Sequence, residues 1–253
     1  MKNNIFGERM PFSRRFSTGI VGLDGFLGGG LLDNSLILVC GEVGSRHKTF
    51  VHQILFNHVA EDGKAAYYLA ENMSIDILLE MRRFGWFLQD YLGRKSWIFV
   101  KMKTSSLQDL SNLAPKLLEE EHSVNLAPGL KELKDDIHAK VEENYWTAIE
   151  LNYILLNFNL KEVADLLLYW RTVARIYGGV HFAILSLDIH PENHVNLIKD
   201  IADGVLEFIL RRSDWRYENL MIVRKMKYLP RPLMLNFTVG ENGISVETTA
   251  RIY

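Results

Sequence analysis

The sequence predicts an α/β domain, a mostly parallel sheet flanked by helices with an antiparallel β extension at its C-terminal end, and three observations predict it. Apolar runs of strand length alternate with longer segments of helical period, the pattern of βαβ units around a parallel sheet. Towards the C-terminus the runs become short and are separated by Asn, Pro and Gly turns, the pattern of hairpins. The chain has 253 residues, 48% of them hydrophobic and 24% charged, enough for one sizeable core and too apolar for wholesale disorder.

The first strand is predicted at Ser35–Cys40, followed by a glycine-containing turn and a helix from Lys48 to about Ala60. A second strand, Ala65–Ala70, leads into a helix over Ser74–Phe84, where the Ser74 side-chain oxygen suits the N-cap. Ser96–Met102 is the next strand. From about Leu107 to Asn144 the chain is polar and reads as an acidic, helical, insertion-like region, with eight acids against four lysines over Pro115–Asn144. Such a run is a solvated face or a docking surface. Strand character returns at Trp146–Leu151, a helix spans Leu160–Tyr177, Gly178-Gly179 ends it, and Val180–Leu187 is a strand. Gly204–Leu210, Leu220–Met226, Leu233–Val239 and Ile244–Glu247 complete the sheet, with turns at Asn219, Pro230-Arg231-Pro232 and Glu241-Asn242-Gly243.

Residues 1–16 read as an N-terminal arm and residues 17–253 as one domain. The net charge of −2 advertises neither nucleic acid nor an acidic membrane. The lone Cys40 has no intrachain disulfide partner and lies in an apolar run, so a buried thiol and a cytoplasmic location are expected. No stretch supplies the ~20 uninterrupted apolar residues of a membrane span, and Met1–Arg15 lacks the apolar core of a signal peptide. The histidines have no cysteine partners or paired spacing of a zinc site.

The stretch Ser17-Thr18-Gly19-Ile20-Val21-Gly22-Leu23-Asp24-Gly25-Phe26-Leu27-Gly28-Gly29-Gly30 resembles the TGxxGLDxxLGGG opening of KaiC-like and RadA-like ATPases of the RecA superfamily. Gly85-Trp86, Ala202-Asp203-Gly204-Val205, Lys225-Met226-Lys227 and Gly243-Ile244 resemble further landmarks in order, so the resemblance spans about residues 17–247. It implies a RecA-like fold, ATP with Mg²⁺ as cofactor, and assembly with copies of itself or a related RecA-family protein.

Four positions depart from the family pattern. The phosphate loop GxxxxGK[ST] cradles phosphates with backbone N–H groups, while its Lys and Ser/Thr serve phosphate and Mg²⁺. Here the stretch reads Gly41-Glu42-Val43-Gly44-Ser45-Arg46-His47-Lys48-Thr49. Anchored on Gly41 and Gly44, the loop is one residue too long before Lys48-Thr49; anchored on Lys48-Thr49, it puts His47 where the last glycine belongs. Gly41, Gly44, Ser45, Arg46, His47, Lys48 and Thr49 are therefore the candidate nucleotide-binding residues. Where the family carries two adjacent glutamates, this chain has Glu71-Asn72, leaving Glu71 as the candidate general base. The strand-end acid that orients Mg²⁺ is Glu150 in place of Asp, which with Thr49 makes the candidate metal pair; Asp188 is a competing acid of lower rank. Lys225 and Lys227 stand where the family carries a Lys-Met-Arg segment that contacts a neighbouring subunit's phosphate, and the bidentate fork of Arg is lost.

Seven Arg or Lys against two acids in Arg211–Arg231, interleaved with Trp215, Tyr217 and Tyr228, form a candidate surface for single-stranded DNA through Arg211, Arg212, Arg216, Arg224, Lys225 and Arg231. The functional expectation is a KaiC/RadA-like regulatory or scaffold component with weakened nucleotide binding and little or no ATP hydrolysis. The alternatives are a recombination accessory protein on single-stranded DNA and a slow genuine ATPase.

Overall fold

The structure, a computed structural model, describes residues 14–69, 74–103, 123–126, 129–213 and 216–247. Two short strands, β1 (Arg15–Phe16) and β2 (Leu31–Leu32), pair around helix α1 (Leu23–Phe26) before the main sheet begins. The sheet then takes β3 (Ser35–Gly41), helix α2 (His47–Ala60), β4 (Lys64–Leu69), α3 (Ser74–Arg83), α4 (Gln89–Gly93), β5 (Trp97–Lys103) and β6 (Ser123–Asn125). Next come α5 (Lys131–Glu142), β7 (Tyr145–Glu150), α6 (Asn152–Asn157), α7 (Leu160–Tyr177), β8 (Val180–Ser186), α8 (Glu192–Ile201), β9 (Gly204–Ser213), β10 (Arg216–Lys225), β11 (Leu233–Gly240) and β12 (Gly243–Val246).

The ten strands lie in the order β12-β11-β10-β9-β3-β8-β7-β4-β5-β6. From β9 to β6 every neighbouring pair is parallel, and β9 to β12 form an antiparallel meander on one side. This is the α/β architecture expected from the alternation of runs.

The parallel strands are buried on both faces, so their side chains sort into two cores by the two-residue period of a strand. Ile37 and Val39 of β3, with Tyr67 of β4, pack against Phe50, Ile54 and Leu55 of α2. Leu36, Leu38 and Cys40, with Tyr68, pack against Leu133 and Ile137 of α5 and Leu166 and Trp170 of α7. Cys40 is fully buried, and that burial pushes its thiol up to about 12. Helix α7 begins on a reciprocal cap: the Asn159 side chain accepts from the Glu162 N–H and the Glu162 carboxylate accepts from the Asn159 N–H, worth about 1 kcal/mol.

Several elements depart from the sequence reading. Asn219 is not a turn but an interior residue of β10, paired with Leu210 on one side and Phe237 on the other; the bend between β9 and β10 comes earlier. Helix α8 was not expected, nor were β1 and β2. Within the acidic region, the described part contributes β6 to the sheet edge beside β5 and packs α5 on β7 and α7.

The glycine-rich opening forms a collar over α2. Asp24 accepts hydrogen bonds from the Thr18 N–H, Thr18 Oγ1 and Ser17 Oγ, and Asn57 of α2 donates to the Thr18 carbonyl at 2.9 Å. At Gly30, with φ of 108°, a Cβ would stand 2.2 Å from the Phe16 carbonyl oxygen, so only glycine allows β1 to close on β2.

Candidate functional site

The loop between β3 and α2 sits at the C-terminal edge of the parallel strands, where ligands of open α/β sheets bind. Its register is set by the helix. Arg46 is the N-cap of α2 in the left-handed conformation, with φ of 65°, and Gly44 has φ of 87°. Counting GxxxxGK[ST] from Gly41, Arg46 falls on the last glycine, His47 on the lysine and Lys48 on the Ser/Thr. The loop therefore has no extra residue, and the two anchorings left open by the sequence collapse into one. Thr49 lies one step beyond the motif.

His47 turns inward. It is 5% exposed, its Nδ1 shares a hydrogen bond of 3.1 Å with Ser45 Oγ, and a Cβ on Gly41 would come within 2.9 Å of it. Burial, followed by the neighbouring Lys48 charge, lowers its pKa to about 4, so a neutral imidazole replaces the cation at this step.

Lys48 reaches across to the end of β7, where its Nζ lies 2.9 Å from Glu150 Oε2. Glu150 is 3% exposed, and its other oxygen, Oε1, accepts a hydrogen bond from Tyr67 Oη at 2.9 Å. Burial and then the Glu150 charge raise the Tyr67 phenol well above its ordinary range, which keeps it a donor. Thr49 is buried on another side of α2 and donates to Glu80 Oε1 of α3 at 2.6 Å. His52, one turn further along α2, lies beside the same Glu80 at 3.8 Å, and burial lowers its pKa.

Other loop groups are engaged as well. Val43 N–H donates to Asp188 Oδ2 at 2.9 Å, Ser45 N–H to the Glu42 carbonyl, and the Glu42 carboxylate accepts from the Leu210 N–H at 2.9 Å. Arg46 is exposed and lines a groove of about 410 Å³ with Glu80, Arg83, Phe84 and the β11–β12 turn at Val239, Gly240 and Glu241.

A magnesium ion does not fit the candidate pair Thr49 and Glu150. The two side chains serve different partners, and each Glu150 oxygen already accepts a hydrogen bond, one from Lys48 and one from Tyr67. Among the described residues no group of three or more His, Cys, Asp and Glu is placed to hold a metal. Glu71, the candidate base, lies outside the described residues.

Lys225 pairs with Val205, which stands beside Leu38, three residues before Gly41; the antiparallel course of β10 thus carries Lys225 and Lys227 away from the loop of the same chain. Lys225 Nζ donates to the Asp200 carbonyl at 2.8 Å, and Lys227 pairs with Asp203 at 3.1 Å. Of the candidate DNA contacts, Arg211 pairs with Glu218 and Arg224 with Glu207. Arg212 and Arg231 are exposed near opposite ends of the hairpin arm, whose strand β10 is about 30 Å long. Among the described residues no helix is long and apolar enough to cross a membrane.

Tyr67, Glu80 and Glu42 were not singled out from the sequence. Tyr67 and Glu80 belong to segments that read as plain strand and helix, and only the packing of β4, β7 and α3 around α2 makes them neighbours of the loop.

The sequence profile of the family described as "ATPase: KaiC" matches residues 16–150, more than half of the chain. A UPF0273 protein of Aeropyrum pernix is 27% identical over 50% of this chain and 51% of its own length, so the match spans about half of that relative. A UPF0273 protein of Thermotoga maritima is 19% identical over 92% of this chain and 96% of its own. The DNA repair protein RadA of Pseudomonas aeruginosa is 38% identical over 30% of this chain and 16% of its own. The crystal structure of a KaiC-like protein from Pyrococcus horikoshii shares the fold, with a TM-score of 0.72, 20% identity, and coverage of 93% of this chain and 99% of that one. The collar motif, the parallel sheet and the loop before α2 are thus those of the RecA superfamily, and the chain belongs to the KaiC ATPase family.

Proposed function

We propose that this chain is a non-hydrolysing member of its family, a regulatory or scaffold component that keeps the RecA architecture and works by docking partners. The observation that carries this reading is the ion pair between Lys48 and Glu150. In working P-loop enzymes the loop Lys cradles the β- and γ-phosphates, and the strand-end acid acts through Mg²⁺. Here Lys48, standing at the Ser/Thr step, and the acid serve one another, and the residue at the lysine step is a buried, neutral His47.

The electrostatics point the same way. Asp188 presents a carboxylate to the loop at Val43, so a triphosphate would meet a negative charge there with neither lysine nor metal to offset it. What favours an anion is the N-terminal turn of the 14-residue α2 and the exposed Arg46, which supports weak, metal-free binding of a phosphate compound and not turnover. Exposed Lys225 and partly exposed Lys227, carried away from the chain's own loop, suit contact with a second copy or a related RecA-family protein.

Phosphate release from ATP with Mg²⁺ tests the reading. Turnover is expected to be indistinguishable from a protein-free blank and unchanged in Glu150→Gln. Steady hydrolysis that disappears in Glu150→Gln would refute it.

A further inference from the structure

We propose that the Lys48 ammonium is a resident cation: it holds the position at Glu150 that a divalent ion holds in a working phosphate loop, and so closes this site to divalent metals. The proposal rests on the reading of the loop as non-hydrolysing, and names the physical device behind it.

Backbone register supplies the first part of the argument. Counted from Gly41, Lys48 occupies the Ser/Thr step, the residue whose hydroxyl holds Mg²⁺ alongside the strand-end acid. The same first turn of α2 that would deliver a hydroxyl oxygen to the metal therefore delivers an ammonium to the acid.

Geometry supplies the second. Nζ lies 2.9 Å from Glu150 Oε2, while Tyr67 Oη lies 2.9 Å from Oε1. A magnesium ion demands an oxygen at about 2.0–2.1 Å with near-octahedral neighbours. Such an ion on Oε2 would have to compete with the ammonium for that oxygen, and on Oε1 with the phenol.

Charge supplies the third. The pair Lys48 and Glu150 is neutral as a unit, so the buried acid, 3% exposed, offers an incoming cation no uncompensated charge. A diffusible ion is lost by dilution, whereas a covalently tethered ammonium is present at a fixed local concentration. Thr49, the only hydroxyl next to Lys48 in sequence, is held by Glu80 and gives the ion no second ligand.

The test is a titration of Mn²⁺ into the full chain, read by loss of the free-ion paramagnetic signal, with Glu150→Gln as the reference for unrelated surface acids. Wild type and Glu150→Gln are expected to remove the same amount of Mn²⁺. Lys48→Thr, which restores the hydroxyl and removes the ammonium, is expected to gain a site binding about tenfold or more tighter, lost again in Lys48→Thr/Glu150→Gln. Mn²⁺ uptake by wild type that Glu150→Gln abolishes would overturn the proposal, as would a folded Lys48→Thr that binds no more than wild type. Should Lys48→Thr not fold, the comparison of wild type with Glu150→Gln decides alone. ATP turnover by wild type would sink the non-hydrolysing reading whatever Mn²⁺ does, and Mn²⁺ uptake at Glu150 without turnover would sink only this inference.

Discussion

Replacing Lys48 by Met keeps most of the aliphatic stem and deletes the charge, which isolates the ion pair with Glu150. Removing one partner of a buried pair costs about 3–5 kcal/mol, because the other charge is left buried without compensation. Glu150 meets that condition at 4% side-chain exposure, but Lys48 is 27% exposed, so solvent screens its half of the pair. Tyr67 continues to donate to Oε1 in the variant. Both effects reduce the penalty to about 2–3 kcal/mol. For a chain of this size each kcal/mol moves Tm by about 2–4 °C, so Lys48→Met is expected to melt about 4–12 °C below wild type in the absence of any ligand. Glu150→Gln and the double variant complete a cycle in which the double variant is more stable than the sum of the single losses predicts. A loop lysine that waits in solvent for phosphate would behave otherwise: its removal would leave the ligand-free Tm unchanged. A Lys48→Met melting within about 1 °C of wild type would therefore refute the pairing and with it the account of the loop.

Other consequences follow from burial. The pKa values of His47, His58 and His181 are all lowered from 6.5 to about 4, chiefly by burial. Between those values the unfolded chain takes up protons that the native one refuses, so stability is fully present above about pH 6.5 and falls as pH drops towards 4, by up to about 1.4 kcal/mol per pH unit for each imidazole. Urea unfolding at pH 7.5 and pH 5 checks this; equal midpoints would contradict it. Gly41→Ala would place a Cβ 2.3 Å from Ser45 Oγ and 2.9 Å from both His47 Nδ1 and Phe208 Cβ, and is expected to cost about 1–3 kcal/mol by overpacking the turned-in loop. An unchanged Tm would mean that His47 does not fold back on Gly41.

Several of the landmarks that carried the family resemblance turn out to be joints between distant elements. A Cβ on Gly243 would lie 2.4 Å from Trp86 and 2.7 Å from Gln53 Oε1, so the Gly85-Trp86 and Gly243-Ile244 pairs meet over α2, where Gln53 exchanges hydrogen bonds with the Ile244 backbone. Asp203 and Lys227, both read as landmarks, form an ion pair with each other. These residues were legible because each needs a particular type at a fixed place: glycine for close approach, a cation for a buried acid.

The sequence by itself determined the architecture and the family. Strand-length runs that alternate with helical period leave little choice but a parallel sheet, the Asn159 and Glu162 spacing sets the start of α7, and the glycine-rich collar identifies what precedes β3. It did not determine the register of the phosphate loop, because a nine-residue window with two glycines and one Lys-Thr pair admits two anchorings. That choice was made by tertiary structure, where Arg46 takes the left-handed N-cap and the first turn of α2 then fixes the direction of each side chain that follows. The partner of Lys48 lies 102 residues away on β7, and Tyr67 reaches the same carboxylate from β4 only because β4 and β7 are neighbours in the sheet. Local pattern specifies which face a residue shows; the order of strands in the sheet specifies whom it meets.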